Sequence, residues 1–146
     1  MATIYPLIHF NGNCEEAFMF YKSIFGGEFS TLTRFKDFPD IPNPNAEIEA
    51  DNIMHISLSI GADSFLMGSD TPSYLGTHNL SENRSKIYIR CQSKKEADDI
   101  FRGLSEGVIP EMPIGDSPWG SYFGMLRDMY GVEWMIDFDT SYNTQK

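Results

Sequence analysis

Positive charge is scarce in this chain: 11 Lys and Arg against 21 Asp and Glu leave a formal net charge of −10 at neutral pH. A general nucleic-acid binder needs a clustered basic surface that releases counterions, and an anionic membrane surface makes the same demand. The densest basic spot, Lys94-Lys95, is diluted at once by Glu96, Asp98 and Asp99. Neither nucleic acid nor membrane is an expected partner, which leaves small molecules and other proteins. Cysteine is nearly absent. Cys14 and Cys91 stand in no metal-ligand spacing and in no secretory context, so no structural disulfide is expected. No run of about eighteen apolar residues, heptad array or low-complexity stretch occurs. The start, Met1-Ala2-Thr3-Ile4, lacks the basic region and apolar run of a signal peptide, and the expected location is cytoplasmic. Cys14 opens a helix without an identifiable base. It reads as a packing residue beside a cap, its thiol pKa lowered by the helix N-terminus.

What is present is a repeat. Asn13-x-x-Glu16-Ala17 leads into Phe20, Tyr21, Ile24 and Gly27, and Ser93-x-x-Glu96-Ala97 leads into Ile100, Phe101, Leu104 and Gly107, 80 positions later. Each copy reads as a capping box followed by a helix of about three turns with one apolar stripe, closed on glycine. Strand-like runs precede the helices at Ile4 to Phe10 and Ile87 to Cys91. Further strands are expected at Glu28 to Lys36, Ile53 to Ile60 and Ser64 to Ser69, then at Val108 to Ile114, Ser121 to Arg127 and Val132 to Phe138. Gly61-Ala62-Asp63 and Asp128-Met129-Tyr130-Gly131 form the hairpin turns, where Asp can bond its own turn and Gly can take positive φ. The Pro-rich segment Phe38 to Glu47 is an insertion in the first copy only. Its three prolines exclude it from a central strand and suit a lid or an edge-blocking element. One domain spanning residues 1–146 is expected, with modules at about 1–70 and 86–140 and a linker at 71–85.

Two copies of strand, helix and three strands resemble the vicinal oxygen chelate (glyoxalase/bleomycin-resistance) superfamily. Phe10-x-Gly12-Asn13-Cys14-Glu15-Glu16-Ala17-Phe18-x-Phe20-Tyr21-x-x-Ile24-Phe25-Gly26-Gly27 is similar to the opening of its PhnB-like branch. Trp119-Gly120, Gly124 and Asp128-x-x-Gly131-Val132-x-Trp134-Met135-Ile136 are similar to that branch's close. The resemblance implies an α+β fold of two βαβββ modules, a curved, mostly antiparallel sheet with a concave cup, helices outside, and a homodimer. It also implies four positions where metal-dependent relatives place His or Glu. These fall here on Pro6, Met67, Lys86 and Met135, a set that suits no hard divalent ion, so no metal and no cofactor is expected. The branch is often labelled a demethylubiquinone methyltransferase. No glycine-rich turn between a parallel strand and a helix is present to cradle a nucleotide-type methyl donor.

Strand alternation proposes the cup's lining. Lys86, Tyr88 and Arg90 alternate with Ile87, Ile89 and Cys91; Glu133, Met135 and Asp137 alternate with Val132, Trp134, Ile136 and Phe138; His55, Ser57 and Ser59 alternate with Met54, Ile56, Leu58 and Ile60. The candidate ligand-binding residues are therefore His55, Ser57, Phe65, Met67, Lys86, Tyr88, Arg90, Trp119, Glu133, Met135 and Asp137. Lys86, Arg90 and His55 could hold an anionic group, or Lys86 could pair with Glu133 or Asp137 across the sheet. Trp119 suits a pocket wall or a dimer contact equally. His9, in phase with Leu7, is expected against the first helix, and His78 lies in the linker. The resulting expectation is a metal-free binder of a small anionic or amphipathic molecule. A superfamily enzyme (lyase, dioxygenase, thiol transferase or the labelled methyltransferase) and a ligand-free structural dimer stand beside it, and these residues name no reaction.

Overall fold

The computed structural model describes residues 2–139. The chain divides into two compact units, Met1–Asn79 and Leu80–Lys146. The first runs β1 (Leu7–Phe10), α1 (Cys14–Phe25), β2 (Glu28–Arg34), β3 (Ile53–Ile60) and β4 (Ser64–Asp70). The second runs β5 (Ile87–Arg90), α2 (Lys94–Leu104), β6 (Met112–Asp116), β7 (Tyr122–Arg127) and β8 (Glu133–Phe138). Each unit is an α+β module with a four-stranded sheet, ordered β1-β4-β3-β2 and β5-β8-β7-β6. The strand before each helix runs parallel to the last strand, and all other neighbours are antiparallel. The βαβββ repeat expected from the sequence is thus observed twice. Among the described residues no helix is long and apolar enough to cross a membrane.

Each helix forms because its apolar residues recur on one stripe and lie against its own sheet. α1 buries Cys14, Ala17, Phe18 and Tyr21; α2 buries Ala97, Phe101 and Leu104. Burying one such large side chain contributes roughly 1.5–3 kcal/mol. The aromatic rings press so closely that the sheet carries glycine beneath them. A Cβ on Gly68 would lie 2.5 Å from the Phe18 ring, and one on Gly124 would lie 2.6 Å from Phe101.

The two helix starts are satisfied differently, which corrects the paired capping boxes. In α2, Ser93 Oγ accepts from the Glu96 N–H at 3.1 Å, and Glu96 Oε1 accepts from the Gln92 N–H at 2.8 Å. In α1 the Asn13 side chain makes no cap bond. Asp70, at the end of β4, takes its place. Its Oδ1 accepts from the N–H groups of Gly12 and Cys14 at 3.0 and 2.9 Å, and its Oδ2 accepts from that of Ile53 at 2.8 Å. Burial pushes this carboxyl above its ordinary value, against the pull of the three N–H donors.

The 80-residue offset superposes the helices but not the strands ahead of them. Phe10, the last residue of β1, and Cys91, the residue after β5, are both buried, yet Phe10 precedes Ala17 by seven positions and Cys91 precedes Ala97 by six. The extra residue lies in Asn11-Gly12-Asn13, where Gly12 takes φ 108°. A one-residue slip in a strand exchanges its two faces. Ile8 and Phe10 therefore face α1, the Phe10 ring centroid 6.0 Å from that of Phe18. Leu7 and His9 pair with Met67 and Ser69 on the opposite face, so His9 does not sit against the first helix. Pro6 falls out of phase as well. Its carbonyl accepts the Met67 N–H at 3.0 Å, and Tyr5 takes the place facing away from α1, its ring 5.1 Å from that of Phe65.

Other boundaries differ from expectation: β1 begins at Leu7 instead of Ile4, and β2 ends at Arg34 instead of Lys36. The strand expected at Val108 to Ile114 is β6, Met112–Asp116: the chain is still turning at Val108, whose N–H bonds Ser105 O, and Pro110 and Pro113 have no N–H to donate. The Pro-rich insertion is a series of turns held by Glu49, which accepts from Asn43 Nδ2 at 3.1 Å and from the Ser73 N–H at 3.2 Å. A 320 Å³ recess lined by Asn43 to Ile48 belongs to this loop and includes none of the expected site residues.

Candidate functional site

In the second unit the side chains that alternate away from α2 form one open sheet face. The β7–β8 hairpin pairs Phe123 with Asp137, Met125 with Met135 and Arg127 with Glu133. β5 adds Tyr88 beside Met135 and Arg90 beside Asp137. Lys86 is in phase with Tyr88, and Trp119 lies on the same side, its ring 4.8 Å from that of Phe123. Lys86, Tyr88, Arg90, Glu133, Met135 and Asp137 thus share one face, and Trp119, which alternation did not place, stands beside Phe123 on the same side.

One end of this face is a closed charge network. The Glu133 side chain is only 2% exposed and lies between two cations. Lys86 Nζ is 3.1 Å from its Oε2 and 3.5 Å from Glu111 Oε1. Arg127 donates to Glu133 Oε1 at 2.9 Å, to Gly131 O at 2.8 Å and to Leu80 O at 2.7 Å. A carboxylate buried this deeply requires such partners, because an unpaired one would carry its full desolvation penalty. Lys86 is therefore committed to two acids and is no ready grip for an anion.

The other end is less complete. The Tyr88 hydroxyl donates to Asp137 Oδ2, and burial together with that bond raises the phenol's pKa. The Arg90 guanidinium stands 5.9 Å from the centroid of the Tyr88 ring. Asp137 Oδ1 is buried and has no hydrogen-bond partner among the described residues. Between the two ends lie thioethers and aromatic rings. Trp119 is 67% exposed. It sits in a turn fixed by Ser117, whose N–H donates to Ser121 O at 2.8 Å and whose Oγ accepts the Ser121 N–H at 3.0 Å.

The first unit holds the other four expected residues on its own open face. Ser57 pairs with Met67, Phe65 with Ser59, and His55 with Thr33. Ser57 is buried and His55 half-buried. His55 has no carboxylate within ion-pair reach among the described residues, so nothing orients it as a base. Phe123, Met125 and Arg127 were absent from the expected site. Their signal was available, because the turn at Asp128 to Gly131 fixes the hairpin register and places them opposite Asp137, Met135 and Glu133.

The donor set does not fit a metal of the superfamily type. With Tyr5 replacing Pro6, the positions carry a phenol and a thioether in the first unit and an ammonium and a thioether in the second, and Lys86 is already paired with acids. Nor do the helix starts fit a nucleotide-type cofactor. The N–H groups of Gly12 and Cys14 are taken by Asp70, and those of Gln92 and Glu96 by the α2 cap. Cys14 also departs from expectation. Its thiol pKa is raised, first by burial and then by the Asp70 and Glu15 charges, and burial lifts Cys91 to about 12.

A family model described as 3-demethylubiquinone-9 3-methyltransferase matches residues 2–137. The chain is similar to protein PA1353 of Pseudomonas aeruginosa, at 34% identity and TM-score 0.81, covering 95% of this chain and 98% of that one. It is similar to a PhnB protein of Bacillus cereus at 26% identity and TM-score 0.75, with coverages of 94% and 99%. A glyoxylase/bleomycin resistance protein/dioxygenase domain from Frankia shares the fold at 9% identity and TM-score 0.67, with coverages of 95% and 98%.

Proposed function

Since the chain belongs to the PhnB-like family described as 3-demethylubiquinone-9 3-methyltransferase, within the vicinal oxygen chelate superfamily, we propose that it binds a small molecule without a metal and acts as a homodimer. The open face of the second sheet carries this reading. Phe123, Met125, Met135 and the exposed Trp119 make an apolar wall between two polar ends, the composition of a small-molecule site. Of the two ligand types expected from the sequence, anionic and amphipathic, the amphipathic one is favoured, because Lys86 is occupied by Glu133 and Glu111.

A thermal-shift screen with aromatic amines, aromatic acids and phosphonates tests the reading. A compound at about 100 times its Kd adds about 2.7 kcal/mol of stability, and Trp119→Ala removes that gain while leaving the free protein's melting point nearly unchanged. If no compound class raises the melting point, the binding reading fails. Elemental analysis of the purified protein tests the other half: stoichiometric nickel, zinc, iron or manganese would contradict a metal-free site.

A further inference from the structure

The second sheet's open face also indicates which kind of amphipathic ligand it takes. Resting on the binding reading above, we infer that this face binds a planar aromatic cation carrying an N–H donor. The ring lies on the Trp119–Phe123 wall and the donor is accepted by Asp137 Oδ1. Three observations carry this. First, Asp137 Oδ1 is a buried carboxylate oxygen without a partner among the described residues, and such an atom lacks the hydrogen bond that normally offsets its desolvation. Second, Asp137 is the direct cross-strand neighbour of Phe123, on which the two-thirds-exposed Trp119 rests at 4.8 Å. A ring laid against the indole therefore lies beside the strand pair that carries the carboxylate. Third, the cation at the far end of the face is spoken for, since Lys86 serves Glu133 and Glu111. The face thus offers an acceptor where an anion would need a donor.

Access requires a movement, because Oδ1 is covered. Tyr88, which is 49% exposed and bonded through its hydroxyl to Asp137 Oδ2, is the side chain placed to make it. Turning its ring outward releases Oδ2 from that bond. An amidinium, with two parallel N–H groups, then meets the carboxylate as a fork. Arg90, the cross-strand neighbour of Asp137, is the internal competitor for the same oxygen, and the experiment separates the two.

Naphthamidine and naphthoate, which share a ring system and differ in charge and donors, are titrated calorimetrically against the full chain, its Asp137→Asn variant and its Trp119→Ala variant. Naphthamidine is expected to bind at least about tenfold more tightly than naphthoate, the effect of one charge-assisted hydrogen bond. Asp137→Asn abolishes that preference, and the ligand-free variant melts close to the parent, because the Asn carbonyl still accepts from the Tyr88 hydroxyl and only the oxygen without a hydrogen bond is replaced. Trp119→Ala weakens both compounds. If naphthoate binds as well as naphthamidine, the face takes amphipathic ligands but the cation inference is wrong. If Asp137→Asn lowers the melting point of the free protein and leaves naphthamidine binding unchanged, Arg90 is the partner of Asp137 and the inference also fails. If neither compound binds, both this inference and the binding reading are overturned.

Discussion

At the scale of single residues, environment overrides position in sequence. Cys14 heads a helix, the place where a thiol is ordinarily acidified, yet it is fully buried beside Asp70, and both influences favour the protonated thiol. Cys91 behaves alike, burial lifting it from 9.0 to about 12. Both thiols of the folded protein should therefore resist a disulfide reagent at about pH 8 and react only after unfolding in guanidinium. Rapid modification of either thiol in the native protein would contradict this. The linkage has a definite sign. A pKa raised by folding contributes stability that is present below the unfolded value of 9.0 and is lost as pH rises from there toward 12, so the melting point should begin to fall above about pH 9. Lys86 shows the same dominance of surroundings, because its charge is consumed by Glu133, a residue 47 positions away.

At the scale of elements, the helices were legible and their caps were not. Helical spacing picks out Ala17, Tyr21, Ala97, Phe101 and Leu104, which are buried, together with Phe20, Ile24 and Ile100, which are only half-buried, while Cys14 and Phe18 complete the buried face of α1. The capping of α1 is a long-range event, supplied by Asp70 from a strand 56 residues beyond Cys14. Asp70→Ala would leave three N–H groups without their acceptor, two of them at a helix start, at a cost of about 3 kcal/mol or more. Asp70→Asn keeps one carbonyl oxygen and should cost distinctly less. Guanidinium unfolding measures both, and a loss below about 0.5 kcal/mol for the alanine variant would remove Asp70 from this role. Phase was the other element-scale gap. The helices align at one offset, but the single residue added around Gly12 turns β1 over, moving His9 and Tyr5 to the open face and Pro6 away from it.

At the scale of the whole molecule, the linker is pinned at each end to its own unit. Asn11 and His78 exchange two hydrogen bonds, at 2.8 and 3.1 Å, and the His78 ring stacks on that of His9 at 5.3 Å. Arg127 holds the carbonyls of Leu80 and Ser81. Beside these pins, β1 remains an edge strand of only four residues, preceded by Ile4 at 93% exposure and Tyr5 at 37%. Exposed apolar residues along a sheet edge invite a partner. The proposed homodimer accordingly predicts sedimentation at twice the 16.6 kDa of one chain, and Ile4→Glu combined with Leu7→Lys should shift the equilibrium toward monomer. A parent protein that sediments as a monomer at micromolar concentration would refute the dimer.

The sequence by itself determined the repeat, the two helical stripes, the hairpin turns and the polar alternation of β5 and β8, because these depend on contacts among near neighbours with fixed periods. Only the tertiary structure decided which oxygen caps α1, which face of β1 looks outward, how Lys86 spends its charge and that Asp137 keeps an oxygen without a hydrogen-bond partner among the described residues. Each of those is settled between residues dozens of positions apart, where burial and desolvation, invisible to periodicity, choose the partner.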